Sequence, residues 1–162
     1  MSALPADPTT PGSGSSARPE RLAVERALQE SEERYRRLVE SSPDAIYVQV
    51  NGLIVYANRA MLGMSGYPDL EGRSVDELVP DALRGQHSGL RGRYMDGPTQ
   101  RPMGAGLELA LQRSDGREVP VEISLSPFEH NGRFVITAVR DVSDRQEAQR
   151  RLAVAHEQLA LV

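Results

Sequence analysis

Alternation of apolar and polar side chains across residues 107–139 constrains this chain more than any other feature in it. Leu107, Leu109 and Leu111 interleave with Glu108, Ala110 and Gln112, and Val119, Val121, Ile123 and Leu125 interleave with Pro120, Glu122, Ser124 and Ser126. A period of two sends successive side chains to opposite faces, so both segments predict strands with one buried face. Ser114-Asp-Gly116 and His130-Asn-Gly132 supply turns, and the apolar run from Phe134 to Val139 predicts a last strand covered on both faces. Earlier in the chain, Ala45 to Val50 and Leu53 to Tyr56 flank Asn51-Gly52, the strongest two-residue hairpin signal. Together these segments predict a five-stranded antiparallel sheet.

Between the second and third strands the period changes. Asn58 predicts a cap for a brief helix through Gly63, Ser74-Val-Asp-Glu77 reads as a capping box that opens another, and Pro80 to Asp96 predicts a longer helix. In that longer helix Leu83, His87, Leu90 and Tyr94 recur at 4-3-4 and so share one face. Two further helices flank the sheet-forming region. From Glu20 to Glu40 the i,i+4 pairs Glu30/Arg34, Glu32/Arg36 and Glu33/Arg37 predict a solvated helix, on which Val24, Leu28, Tyr35 and Leu38 form a narrow seam. After Ser143-Asp-Arg-Gln146, a second capping-box pattern, Ala148, Leu152, Ala155, Leu159 and Val162 repeat at 4-3-4-3 as a second seam. A seam this narrow fits one partner helix, so a homodimer is expected.

The organisation that follows is a disordered leader over 1–18, an amphipathic helix over 19–41, an α+β domain over 42–142 and a coiled-coil helix over 143–162. The leader carries mostly Pro, Gly, Ser, Thr and Ala, too little apolar surface to offset the entropy of ordering. Apolar Leu161-Val162 ends the last pattern without a cap, which predicts that more chain follows.

What is missing excludes whole chemistries. With no Cys there is no zinc-thiolate site, no thiolate nucleophile and no flavin thioether. Every basic residue is Arg, so no Lys can form the Schiff base of a pyridoxal enzyme or serve a phosphate-cradling loop. A net charge of -4 gives no field that a nucleic acid would reward. No apolar run is long enough to span a membrane and no apolar signal segment follows Met1, so the expected location is cytoplasmic. No Ser/His/Asp set, carboxylate pair or metal-spaced His cluster is present, and the chain itself is expected not to be an enzyme.

The order of elements, with specific residues, resembles the PAS sensor fold. The likeness rests on Glu32-Glu-Arg-Tyr35 with Leu38-Val-Glu-Ser-Ser-Pro-Asp-Ala45, on Val55-Tyr-Ala-Asn58 and on Gly66-Tyr67. It continues in Arg113-Ser-Asp-Gly116 with Val119-Pro-Val-Glu-Ile123, and in Val139-Arg-Asp-Val-Ser-Asp-Arg145. It covers about residues 30–150 and is most like the input PAS domains of bacterial sensor histidine kinases. The resemblance implies a five-stranded sheet with short helices on one face, and a sensory and dimerisation module. Its state would pass through the C-terminal helix to a kinase-type output domain. Asp141 and Arg145, four apart across the start of that helix, are the expected relay pair.

Gln86-His87 through Arg93-Tyr94 and Met103-Gly104 also resemble the haem-binding PAS domains of oxygen sensors. That likeness makes His87 the candidate proximal haem ligand and places Ile123, Leu125, Pro102 and Thr137 at pocket positions. It departs at Leu107, where the oxygen sensors carry an Arg. The residues themselves leave the cofactor open. A cavity lined by Leu83, Leu90, Leu107, Leu109, Ile123 and Leu125, with Tyr94 on the same helix face, could hold haem or a small apolar metabolite, or could close into plain core in a ligand-free structural dimeriser. His130 in its turn and His156 near the chain end are expected to be ordinary solvated residues.

Overall fold

The computed structural model describes residues 17–99, 101, 102 and 109–161. The expected leader lies outside those residues except for its last two positions, and so do Met103, Gly104 and Leu107. Helix α1 (Ala17–Glu40) begins at the end of that leader. The chain falls into two units, one up to Leu38 and one from Val39 onward. In the first unit Val24, Leu28, Tyr35 and Leu38 are all more than half exposed, so the expected seam faces solvent in the single chain.

The second unit is built on the expected antiparallel sheet. Strands β1 (Ala45–Val50) and β2 (Leu53–Ala57) form a hairpin around Asn51 and Gly52, both at positive φ, 51° and 80°. Those two left-handed residues make the primed turn whose twist matches that of the flanking strands. Strands β4 (Leu109–Gln112), β5 (Glu118–Glu129) and β6 (Arg133–Asp141) form the meander, and β6 closes the sheet against β1. A two-residue strand, β3 (Arg101–Pro102), pairs with β5 at Leu125 and Ser124, within a stretch that the pattern reads as irregular. The order β2-β1-β6-β5 puts β6 in the centre, but the expected cover on both faces is not found: Val135, Thr137 and Val139 are buried while Ile136, on the other face, is 38% exposed.

Short helices cover one face. Helix α2 (Arg59–Ser65) is capped by Asn58, and its C-terminal Gly66 takes φ 76° while its N–H bonds to the Leu62 carbonyl. Only glycine enters that conformation freely, and a Cβ there would also sit 2.8 Å from Ser114 Oγ. Ser114 and Arg113, in the turn before β5, bond back to Gly66 and Met64, which ties α2 to the meander. A 3-10 turn at Val75–Leu78 follows Ser74, whose Oγ accepts from Asp76 N at 3.2 Å. The reciprocal half of the expected capping box is absent, because the Glu77 carboxylate pairs with Arg73 at 3.2 Å instead.

The long helix differs from its prediction at its start. Residues Asp81–Leu83 form a separate 3-10 turn, and helix α3 begins at Arg84 and runs to Asp96. Gly85, Gly89 and Gly92 cost α3 roughly 3 kcal/mol of intrinsic helix preference relative to Ala. Side-chain anchors hold it in place: Arg84 reaches the Val79 carbonyl at 3.1 Å and Asp81 at 2.8 Å, and Tyr94 donates to the Thr99 carbonyl at 2.7 Å. Helix α4 (Ser143–Ala160) leaves directly from β6. Its first turn is not the expected capping box, since Ser143 is already helical and its N–H is taken by the Asp141 carboxylate at 2.8 Å.

The buried apolar side chains form two clusters. The larger gathers Ala45, Tyr47, Ile54, Met61, Leu70, Val75, Leu78, Leu111, Val121 and Val139; the smaller holds Tyr94, Leu125 and Val135. Among the described residues, Ile123 packs against both.

Candidate functional site

Helix α3 lays a polar face toward the start of the Val75–Leu78 turn. His87 Nδ1 lies 2.9 Å from Asp76 Oδ1, and Arg91 Nη1 donates to that same oxygen at 2.6 Å. All three side chains are largely shielded from solvent. Partial burial raises the Asp76 carboxyl, but the Arg91 and His87 hydrogen bonds and the Arg91 charge outweigh it, holding the group below the usual carboxylate range. Arg91 also packs over the hairpin turn, so close that a Cβ on Gly52 would meet its guanidinium at 2.8 Å. One arginine thus joins α3, the Asp76 turn and the β1–β2 hairpin.

On the sheet, inward-facing residues of adjacent strands stand in register. Tyr47 of β1 pairs with Thr137 of β6, and Thr137 pairs with Leu125 of β5. Gln49, two residues along β1, is buried beside them and opposite Val135. Thr137 is 0% exposed, and its Oγ1 has no hydrogen-bond partner among the described residues. Burial pushes the Tyr47 phenol up to about 12. The neighbouring Thr137 hydroxyl and the Arg91 charge pull it back only in part, and the two hydroxyls do not meet the geometry of a formed hydrogen bond. Tyr47 therefore stays a protonated donor at neutral pH.

The residues named from the sequence are divided by this geometry. Leu125, Thr137 and Tyr94 are buried, Ile123 links the two clusters, and Leu109 packs against the larger one. Leu83 and Leu90, expected to line the cavity, are instead 49% and 54% exposed. Leu83 belongs to the 3-10 turn, which breaks the helical phase that would align it with His87. Leu90 is off to one side because the inward arc of α3 is centred on His87, Arg91 and Tyr94, drawn in by Asp76. Pro102 pairs with Ser124 through the backbone, and Leu107 lies outside the described residues. Asp76, Arg91, Tyr47 and Gln49 were not foreseen. Arg91 alone had a readable signal, being one turn beyond His87.

At the exit of the sheet the expected Asp141–Arg145 pair does not form. Asp141 accepts from both the N–H and the hydroxyl of Ser143, while Arg145 forms an ion pair with Glu122 on β5. Asp141 is thus committed to starting the helix, and Arg145, one turn in, faces the neighbouring strand. The Arg145 contact holds the Glu122 carboxyl below its usual range. The Val142 N–H bonds to the Pro120 carbonyl at 3.0 Å, with Val142 itself buried. Past this clamp Leu152, Val154 and Leu159 of α4 are more than half exposed.

As a haem ligand His87 offers a suitable donor. With Nδ1 engaged by a carboxylate, the ring is oriented and Nε2 is left for a metal, an arrangement usual in metal-binding histidines. The apolar walls expected from Leu83 and Leu90 are not part of that surface. No group of three or more His, Cys, Asp or Glu suited to a bare metal ion occurs among the described residues, and no described helix is long and apolar enough to cross a membrane.

Comparison with known proteins places this geometry. The chain is 31% identical over 133 residues to sporulation kinase A of Bacillus subtilis (strain 168), covering 79% of this chain and 21% of the kinase. It is 28% identical over 121 residues to the oxygen sensor protein DosP of Escherichia coli (strain K12), covering 71% of this chain and 15% of that protein. It thus spans about a fifth or less of the length of these relatives. The PAS domain of an HTR-like protein from Haloarcula marismortui superposes with a TM-score of 0.60 at 26% identity, over 74% of this chain and 98% of that one. Residues 43–144, well over half of the chain, match the PAS domain model, and the chain belongs to the PAS domain family, as a sensory domain related to those of sensor kinases.

Proposed function

We propose that this domain is the sensory and dimerisation input of a bacterial two-component sensor histidine kinase, passing its state to a kinase-type output domain through α4. The observation that carries the reading is the sheet exit. Strand β6, central in the sheet and carrying the buried Thr137, runs without a loop into α4. The first turn of α4 is clamped to β5 through Arg145–Glu122 and Val142–Pro120. A shift of β6 against β5 is therefore a shift of α4, and the exposed leucines beyond the clamp are what a second copy would cover. A ligand acts on such a device only by its different affinity for two packings of the helices. Analytical ultracentrifugation of the full chain tests the reading. The wild type is expected to be a dimer and Leu152→Glu/Leu159→Glu to weaken it, whereas a monomer at micromolar concentration overturns the proposal.

A second reading is favoured by the Asp76–His87 contact: a haem gas sensor with His87 as proximal ligand, in line with the name of the DosP relative. Protein expressed with haem available is then expected to show a Soret band that His87→Ala abolishes. A colourless protein after reconstitution removes this reading and leaves the first intact.

A further inference from the structure

The dipeptide Asn-Gly occurs twice in this chain, at 51–52 and at 131–132, and both copies sit in hairpin turns. The pair is chemically labile as well as turn-forming. When the glycine amide nitrogen loses its proton it can attack the asparagine side-chain carbonyl carbon, because the glycine has no Cβ to hinder the approach. A bond forms between that nitrogen and Cγ, the Cγ–Nδ2 bond breaks, and the displaced amide takes up a proton and leaves as ammonia. Water then opens the five-membered imide at one of its two carbonyls. The products are an ordinary aspartate and an isoaspartate, whose main chain runs through the former side chain. Ring closure requires the Asn-Gly peptide to swing until the nitrogen meets Cγ, so in a folded protein the rate is governed by how firmly the turn is held.

The two turns differ in that respect. Asn51 and Gly52 are the whole of a two-residue loop between the paired Val50 and Leu53, and Leu53 also bridges to Ser74. Gly52 is buried, its carbonyl accepts from Val75 N at 2.9 Å, and the Arg91 guanidinium lies against it. Swinging that peptide would break the Val75 bond and collide with Arg91. At the other site the loop has three residues, His130, Asn131 and Gly132, between the paired Glu129 and Arg133. Asn131 and Gly132 are exposed, and a Cβ on Gly132 would meet nothing within 4 Å. The backbone contact there stays within the loop, from His130 N to the Gly132 carbonyl at 2.9 Å. The two asparagines share nearly the same φ, 51° and 50°, so the difference lies in the anchoring and not in the local conformation.

We propose that Asn131 is a site of spontaneous deamidation and isoaspartate formation, and that its anchors spare Asn51, which has the same following residue. Isoaspartate adds one carbon to the main chain of the loop and a carboxylate within two residues of the Glu129–Arg133 ion pair. The ladder next to the loop consists of Glu129 with Arg133 and Phe128 with Phe134, whose rings stack with centroids 5.0 Å apart. The conversion therefore loosens the β5–β6 hairpin from its tip, at the far end of β6 from α4. Neither turn's chemistry depends on the kinase reading above.

The test incubates the full chain in mildly alkaline buffer, folded and in urea, and follows both asparagines by mass spectrometry. Trypsin separates them, with Asn51 in the peptide 38–59 and Asn131 in 118–133. In the folded protein Asn131 is expected to convert at least tenfold faster than Asn51, and in urea the two are expected to convert at similar rates. The folded product is expected to accept methyl groups from an isoaspartyl methyltransferase, and Asn131→Gln to remove that signal, because glutamine would have to close a six-membered ring. The converted fraction is expected to unfold at a lower temperature than the intact protein. The proposal is overturned if Asn51 keeps pace with Asn131 in the folded protein, if Asn131 stays intact while the urea-unfolded chain converts, or if the product is aspartate with no isoaspartate.

Discussion

Replacing Asn58 with Ala tests whether one side chain joins three segments of this domain. The Asn58 Oδ1 accepts from Ile46 N at 2.9 Å and from Met61 N at 3.0 Å. Its Nδ2 donates to the carbonyls of Val39 and Asp44, both at 2.9 Å, and the residue is completely buried. The end of α1, the start of β1 and the start of α2 therefore meet on a single amide. Loss of the α2 cap is worth about 1 kcal/mol. The remaining three bonds contribute roughly 0.5 to 1.5 kcal/mol each, toward the lower end where the freed carbonyls can reach water. The sum is about 3 to 4 kcal/mol, a large part of the roughly 5 to 15 kcal/mol that holds a domain of this size together. Urea unfolding followed by circular dichroism measures it, and the midpoint is expected to fall with an unchanged slope. Asn58→Asp refines the test, since a carboxylate keeps both acceptor contacts but turns the two donors into repulsion against two carbonyls. It is expected to be at least as damaging as Ala at pH 7 and to recover part of its stability toward pH 4, where the protonated acid donates again. A loss below about 1 kcal/mol for Asn58→Ala would refute the reasoning, because it would mean water serves those backbone groups equally well.

Two other substitutions address the polar face of α3. Gly52→Ala places a side chain at φ 80° and within 2.8 Å of the Arg91 guanidinium, so it is expected to cost more than the roughly 1 to 2 kcal/mol of left-handed strain alone, as read by thermal unfolding. A partner variant, Gly63→Ala, meets nothing within 4 Å and is expected to be neutral or mildly stabilising. The Asp76 carboxyl is lower in the folded state than its ordinary 3.8, so its contribution is present above that value and disappears as pH falls through the folded one. Asp76→Asn is therefore expected to flatten the acid limb of the stability-against-pH curve below about pH 4. An unchanged acid limb in Asp76→Asn would show that the contacts with Arg91 and His87 do not favour the ionised carboxyl.

Local periodicity and turn chemistry determined much of this protein. Alternation at Val119, Val121, Ile123 and Leu125 marked a strand because a pleat has a period of two, and Asn51-Gly52 marked a hairpin because both residues accept positive φ. The cap at Asn58 was legible for the same local reason. The signals failed where distant groups compete for a side chain. The long helix began four residues late, at Arg84 rather than Pro80, because Asp81–Leu83 closed a 3-10 turn, and that phase change, together with the pull of Asp76 on His87 and Arg91, put Leu83 and Leu90 in solvent. Spacing and the family likeness together suggested Asp141–Arg145, yet each found a better partner, Ser143 in one case and Glu122 in the other.

The sequence by itself determined the hairpin and meander strands, their turns and the two flanking helices, since each depends on residues within a few positions of one another. The row of Tyr47, Gln49 and Thr137 and the sharing of Asp76 by His87 and Arg91 were decided only by the tertiary structure. Their members are separated by up to about ninety positions in the chain, and only the pairing of β1 with β6 and the packing of α3 against the Val75–Leu78 turn bring them together.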